Sequence, residues 1–146
     1  MSKTSETKTE RVFRKKYGVD SFIEKTAIDK KYGFKSKTGK SFSGLPDFFR
    51  EERDYCIVVE AKSTDHKLAV EEVQFYMKEN SISQDIIGIA VSGQTLRAAK
   101  FSYFLKEAKK KKIEKLVESE ACQSLPEIKR LYRQKNMGIL LVMKNY

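Results

Sequence analysis

The sequence has no tryptophan, one histidine, two cysteines, two prolines and seven glycines in 146 residues. Each scarcity removes a class of protein. Cys56, Cys122 and His66 cannot supply the ligand count of a structural zinc site. A chain of this length buries a core without disulfides, and Cys56, inside an apolar run, reads as a buried free thiol. The cysteine usage suits a reducing cytoplasm. Long apolar runs are also missing. The longest, residues 139–143, is far too short to span a bilayer. The polar start MSKTSETKTE has no apolar segment behind it, as a secretory signal would. The expectation is a soluble, cytoplasmic protein with no membrane partner. Low glycine and proline, with 40% hydrophobic and 34% charged residues, describes a folded chain rather than a disordered one.

What is abundant is positive charge, unevenly placed. The net charge is +10. Residues 1–44 carry twelve Lys/Arg against five Asp/Glu, residues 45–96 five against ten, and residues 97–146 thirteen against five. An acidic middle between basic flanks suits a protein that holds cations at one spot and a polyanion around it.

Periodicity places the elements. Residues 1–8 read as a frayed polar start. Val12, Phe13 and Tyr17 recur at helical spacing from about Thr9, and Gly18 is a stop signal. Residues 21–32 read as a second helix. Residues 34–44 read as a basic turn or short hairpin, its tip at Thr38–Gly39. Residues 47–50 form a short strand and 51–54 a charged turn. Residues 55–62, YCIVVEAK, form a buried strand rich in β-branched residues. Ser63, Thr64 and Asp65 are cap candidates for a helix over 66–79. Residues 85–92 make a buried strand ended by Ser92–Gly93, and 95–105 another. Residues 106–117 read as a basic helix, 127–134 as a helix opened by Pro126, and 138–143 as a last strand. The sum is a single α/β domain, residues 1–146, with a mixed central β-sheet flanked by helices. Its apolar end, GILLVM, is expected to meet a partner or belong to a longer polypeptide.

The chemistry concentrates between Pro46 and Lys62. Residues i and i+2 of a strand share a face, so Glu60 and Lys62 project together while Val59 and Ala61 face the other way. A hairpin return brings Asp47 alongside. Two carboxylates held close repel unless a cation joins them. A hard ion such as Mg²⁺ takes carboxylate oxygens and keeps several waters, leaving room for a phosphate oxygen. Lys62 is then placed to orient or deprotonate a water, or to stabilise charge developing on phosphorus. The plain alternative is a surface Glu–Lys pair. Against it stand the apolar strand YCIVV, the Pro-Asp pair thirteen residues upstream, and the capped helix that follows.

Pro46-Asp47 followed by Glu60-Ala61-Lys62 resembles the motif of the PD-(D/E)XK nuclease superfamily. The wording GLPDFF…CIVVEAK, with the helix and strand behind it, is similar to nuclease domains at the N-terminus of restriction-modification polypeptides. These are type I restriction subunits and fused methyltransferase–endonucleases. The resemblance implies a restriction-endonuclease-like core over about residues 9–105 and a metal-dependent endodeoxyribonuclease acting on DNA. Asp47 and Glu60, with the Ala61 carbonyl, would hold Mg²⁺ (Mn²⁺ as substitute), and Lys62 would be the catalytic lysine. Glu10 matches the first-helix glutamate that many members use, with Glu24 a weaker rival. The family's Gln-x-x-x-Tyr pattern meets Glu72 and Tyr76 here, a departure at the first position. Helicase or methyltransferase modules, or a homodimer, are the implied partners.

The basic flanks are the expected DNA grip: Lys35, Lys37 and Lys40 before the motif, and Lys109, Lys110, Lys111 and Lys112 after it. Such contacts give affinity without reading sequence. Two other functional classes compete: a nucleic-acid-binding module with a nuclease-like fold that does not cut, and an interaction domain in which the motif is fortuitous. His66 follows the motif closely; a helix-start residue without a chemical role is its simpler reading.

Overall fold

The computed structural model describes residues 2–36 and 44–144, with residues 2–6 and 137–144 as backbone alone. Over these residues it is an α/β fold: a six-stranded mixed sheet and three helices. The helices are α1 (Ser2–Tyr17), α2 (His66–Lys78) and α3 (Leu125–Lys144). The strands are β1 (Ile23–Glu24), β2 (Phe48–Glu51), β3 (Tyr55–Lys62), β4 (Asp85–Ser92), β5 (Lys100–Lys106) and β6 (Ile113–Lys115). They lie in chain order across the sheet. Of these strands β3 and β4 run parallel, and α2 is the crossover that a parallel connection requires.

β3 and β4 are buried on both faces, which explains their near-continuous apolar sequences. On one face Ile57, Val59 and Ala61 meet Ile87, Ile89 and Phe13 of α1, with Ile128 and Tyr132 of α3. On the other, Cys56 and Val58 meet Ala69, Val73 and Met77 of α2. α1 is anchored by the Phe13 ring, stacked on Phe48 with centroids 4.6 Å apart. Cys56 is a buried free thiol, and burial pushes its pKa up to about 12.

Gly88 sits where α2 lies closest to the sheet. A Cβ there would fall 2.4 Å from Met77 Sδ and 3.1 Å from Met77 Cγ. Met77 is fully buried, so its thioether would have to shift within a packed core. Gly88→Ala is therefore expected to destabilise the fold by about 1–3 kcal/mol. At this chain length each kcal/mol lowers Tm by roughly 2–4 °C, so a thermal melt within a degree of wild type would contradict the packing described.

Five expected elements differ from the structure. The strand expected over 95–105 begins only at Lys100, behind a turn in which Ala98 N–H donates to Thr95 Oγ1 at 3.1 Å. α1 begins at Ser2, not Thr9. Residues 2–16 contain no glycine or proline, so a helix nucleated around Phe13 propagates backwards, adding one hydrogen bond per residue. Residues 21–32 are not a helix. They form β1 and two 3-10 turns, Lys25–Ala27 and Lys30–Tyr32, because the edge of β2 offers backbone partners and Lys25 N–H donates to Asp47 O at 3.1 Å. Residues 106–117 turn at Glu107–Lys110 and pair as β6 along β5; four successive lysines repel on a helix. Residues 138–143 continue α3 instead of forming a strand, since Leu and Met favour a helix and one Gly costs it only about 1 kcal/mol. The α3 start adds a capping box to the expected Pro126 signal: Glu127 N–H donates to Ser124 Oγ at 3.3 Å, and Ser124 N–H to Glu127 Oε1 at 3.1 Å. The Thr38–Gly39 turn lies outside the described residues. Among the described residues, no helix is long and apolar enough to cross a membrane.

Candidate active site

β3 and β4 finish together, Lys62 level with Ser92. Gly93 N–H donates to Ser63 O at 3.0 Å and ties the two exits. Gly93 turns the chain at φ +104°, a conformation that strongly favours glycine. β2 runs antiparallel to β3, so Asp47, one residue before β2, arrives at the same end of the sheet.

There Asp47 and Glu60 are cross-tied through the backbone. Asp47 N–H donates to Glu60 Oε1 at 3.1 Å, and Ala61 N–H donates to Asp47 Oδ2 at 2.8 Å. Glu60 is 1% exposed and the Asp47 side chain 10%. Holding two carboxylates at so dry a place is costly unless their charge is hydrogen-bonded or balanced. One balancing cation is Lys25, whose Nζ lies 3.0 Å from Asp47 Oδ1. No local signal in the sequence points to Lys25, because its partner lies 22 residues away and the contact depends on β1 rather than on the expected helix.

Lys62 shares the face of Glu60, toward α2, by strand alternation. Its Nζ lies 3.0 Å from Glu72 Oε1. Glu72, at the position where the resemblance calls for Gln, thus holds the lysine. Tyr76, one turn later, is core: it is 1% exposed and its ring meets Phe34 edge-on. Ala61 buries its methyl in the core on the α1 side while its N–H engages Asp47.

Glu10 and Glu24 come to the same place. Together with Lys25, Thr26 and Asp47 they line a pocket of about 220 Å³. Arg14 is shared between them, 3.6 Å from Glu10 and in direct contact with Glu24. Among the described residues, no group of three or more Asp, Glu, His or Cys side chains is arranged to hold a metal ion. A hard cation at this place would have at most the carboxylates of Asp47 and Glu60 as side-chain donors, with main-chain oxygen and water making up the rest. Mg²⁺ commonly accepts such a set.

No protein-family model, curated protein or solved structure matches this chain.

His66 opens α2 beside this edge and is structurally engaged. Its Nδ1 lies 2.8 Å from Ser92 Oγ and its Nε2 2.7 Å from Ser102 Oγ. The ring thereby joins α2 to β4 and β5. Burial lowers its pKa below the ordinary histidine value; Glu120 opposes that drop and Lys100 adds to it. The folded state thus prefers the neutral ring. Its contribution to stability is full above the unfolded value near pH 6.5 and is lost as pH falls through the folded pKa. His66 is the only histidine, so its ring proton should titrate alone by NMR, below a model peptide. Wild type should also lose Tm relative to His66→Gln as pH falls below about 6.5. Parallel Tm–pH curves for the two proteins would contradict this.

The expected DNA-gripping lysines are not at this edge. Ala108 N–H donates to Asp85 Oδ1 at 2.7 Å, which sets Lys109, Lys110, Lys111 and Lys112 beside the start of β4. That is the opposite end of the sheet, about 23 Å away along β3 at ~3.3 Å per residue. The lysine-rich sequence over 106–117 does not say which end of the sheet it occupies; the β5–β6 turn fixes it. Lys35 pairs with Glu79 at 3.8 Å, beyond the last turn of α2 and away from His66. Lys37 and Lys40 lie outside the described residues.

Proposed function

We propose that this chain is a metal-dependent endodeoxyribonuclease domain of the PD-(D/E)XK type, with a restriction-endonuclease-like core. The observation that carries the reading is the cross-tied pair Asp47–Glu60 at the end of a β2–β3 hairpin, with Lys62 on the same strand two residues on. One N–H bond to each carboxylate, from Asp47 to Glu60 and from Ala61 to Asp47, orients it. Asp47, Glu60 and the Ala61 carbonyl are the groups that would hold Mg²⁺, with Mn²⁺ as substitute. Bound there, the ion would neutralise charge on a phosphodiester and acidify a water.

The chain's own residues supply the rest. Lys62 offers an ammonium or amine for the attacking water or the charge developing on phosphorus, and Glu72 orients it. Glu10 shares a pocket with Asp47 and would approach the same phosphate from α1. DNA is the proposed substrate, in a restriction-modification or DNA-processing setting in the cytoplasm. A helicase or methyltransferase module, or a second copy of the chain, is the proposed partner. The test is plasmid cleavage with Mg²⁺ by wild type, Asp47→Ala and Lys62→Ala. Cutting that survives both substitutions would refute the assignment.

One observation favours a second reading, a nuclease-like fold that grips nucleic acid without cutting. Lys25 already neutralises one oxygen of Asp47. Metal titration separates the two: the non-cutting module binds neither Mg²⁺ nor Mn²⁺.

A further inference from the structure

The position of the 109–112 lysines leaves open which surface would meet a DNA backbone near Asp47 and Lys62. A groove of about 270 Å³ runs between α1 and the turn joining β4 to β5, lined by Lys8, Arg11, Lys15, Gln94, Thr95 and Leu96, with Val12 as its floor. Lys8, Arg11 and Lys15 follow helical spacing, so they form one stripe. All three are exposed, and none has a carboxylate partner among the described residues. α1 therefore borders two separate depressions. Glu10 lines the pocket with Asp47, and the basic stripe lines the groove beside the β4–β5 turn. That turn follows Ser92, which is level with Lys62, so groove and site open at the same end of the sheet.

We infer that this groove is the track for a DNA sugar-phosphate backbone leading to the Asp47–Glu60 site. Three exposed cations along one wall match the charge of successive phosphates. The Gln94 amide and Thr95 hydroxyl offer neutral donors on the other wall. Leu96, 43% exposed at the rim, gives an apolar contact for a sugar or base face. Lysines and an arginine in a row along a backbone track supply affinity and path rather than base reading. The inference takes its ligand from the nuclease reading, and the experiment reads binding apart from cleavage.

The variant Lys8→Gln/Arg11→Gln/Lys15→Gln removes charge while keeping helix-compatible side chains. Its binding to a short fluorescein-labelled DNA duplex would be followed by anisotropy in Ca²⁺, across a salt series. A thermal melt would verify folding. The control is Lys109→Gln/Lys110→Gln/Lys111→Gln/Lys112→Gln at the far end of the sheet. The groove variant is expected to bind about tenfold or more weakly. The slope of log affinity against log salt should flatten by roughly 0.9 for each phosphate that the variant no longer neutralises. The loop variant should retain most of the affinity. A folded groove variant with wild-type affinity and slope would overturn the inference, as would a loop variant whose affinity falls further than that of the groove variant. Groove-dependent binding by a wild type that never cuts would sink the nuclease reading alone.

Discussion

Asp47→Asn is expected to abolish Mg²⁺-dependent cleavage while leaving the fold in place. The separation comes from the two jobs of this side chain. Its Oδ2 accepts Ala61 N–H at 2.8 Å, and an asparagine carbonyl oxygen can accept the same bond. The negative charge disappears, and with it the ion pair to Lys25, whose Nζ lies 3.0 Å from Asp47 Oδ1 and, at 48% exposure, can swing to solvent. Asp47→Ala removes the acceptor as well, leaving a buried N–H without its partner at a cost of about 1–3 kcal/mol. If the charge serves a metal, the loss of transition-state stabilisation is several kcal/mol, which at 1.36 kcal/mol per decade is about a thousandfold in rate or more. The measurement is single-turnover plasmid nicking, with Tm taken on the same samples. Asp47→Asn should be stable and inactive, and Asp47→Ala less stable and equally inactive. An active Asp47→Asn enzyme would show that the carboxylate is only a structural acceptor.

Lys62→Met should lower cleavage by roughly 10²–10⁴-fold, the usual span for a positioned proton-transfer group. The substitution keeps most of the apolar stem and removes the amine. It also removes the ion pair to Glu72, whose side chain is 17% exposed and 3.0 Å from the amine. A purely structural role for the pair makes a different prediction from a catalytic one. Lys62→Met/Glu72→Gln removes both charges and so should recover whatever stability the single change loses. If Lys62 only neutralises Glu72, the double variant recovers activity as well. The nuclease reading requires that it stay inactive, while still binding a DNA duplex in Ca²⁺. Recovery of cutting in the double variant would reduce Lys62 to a structural ion pair.

The hairpin and its motif are legible in the sequence because their signals are local. Strand alternation fixes the faces of Glu60 and Lys62, and residues 55–62 and 85–92 have the apolar content of strands covered on both sides. Asp65 is likewise readable as a cap, and its Oδ1 accepts Leu68 N–H at 3.0 Å. What escapes depends on distant partners. Lys25 reaches Asp47 only because β1 joins the edge of β2, which no periodicity in 21–32 announces. β6 exists because β5 has an edge to pair, as shown by Leu116 N–H donating to Tyr103 O at 2.8 Å. Charge along the chain shows basic flanks around an acidic centre, but linear charge does not reveal which end of a strand a loop occupies. The Ser-x-x-Glu box at Ser124 and Glu127 is the exception, a local signal that marks the α3 start more sharply than Pro126 does.

A divalent cation held between Asp47 and Glu60 would leave a local magnetic signature. Mn²⁺ titration followed by paramagnetic broadening of backbone amides is the measurement that reads it. The amides of Asp47, Ala61 and Lys62 should broaden first, at substoichiometric Mn²⁺. Excess Mg²⁺ should reverse the effect, and Asp47→Asn should abolish it. Uniform weak broadening across the acidic surface, unchanged in Asp47→Asn, would contradict the account and leave a basic α/β scaffold in its place.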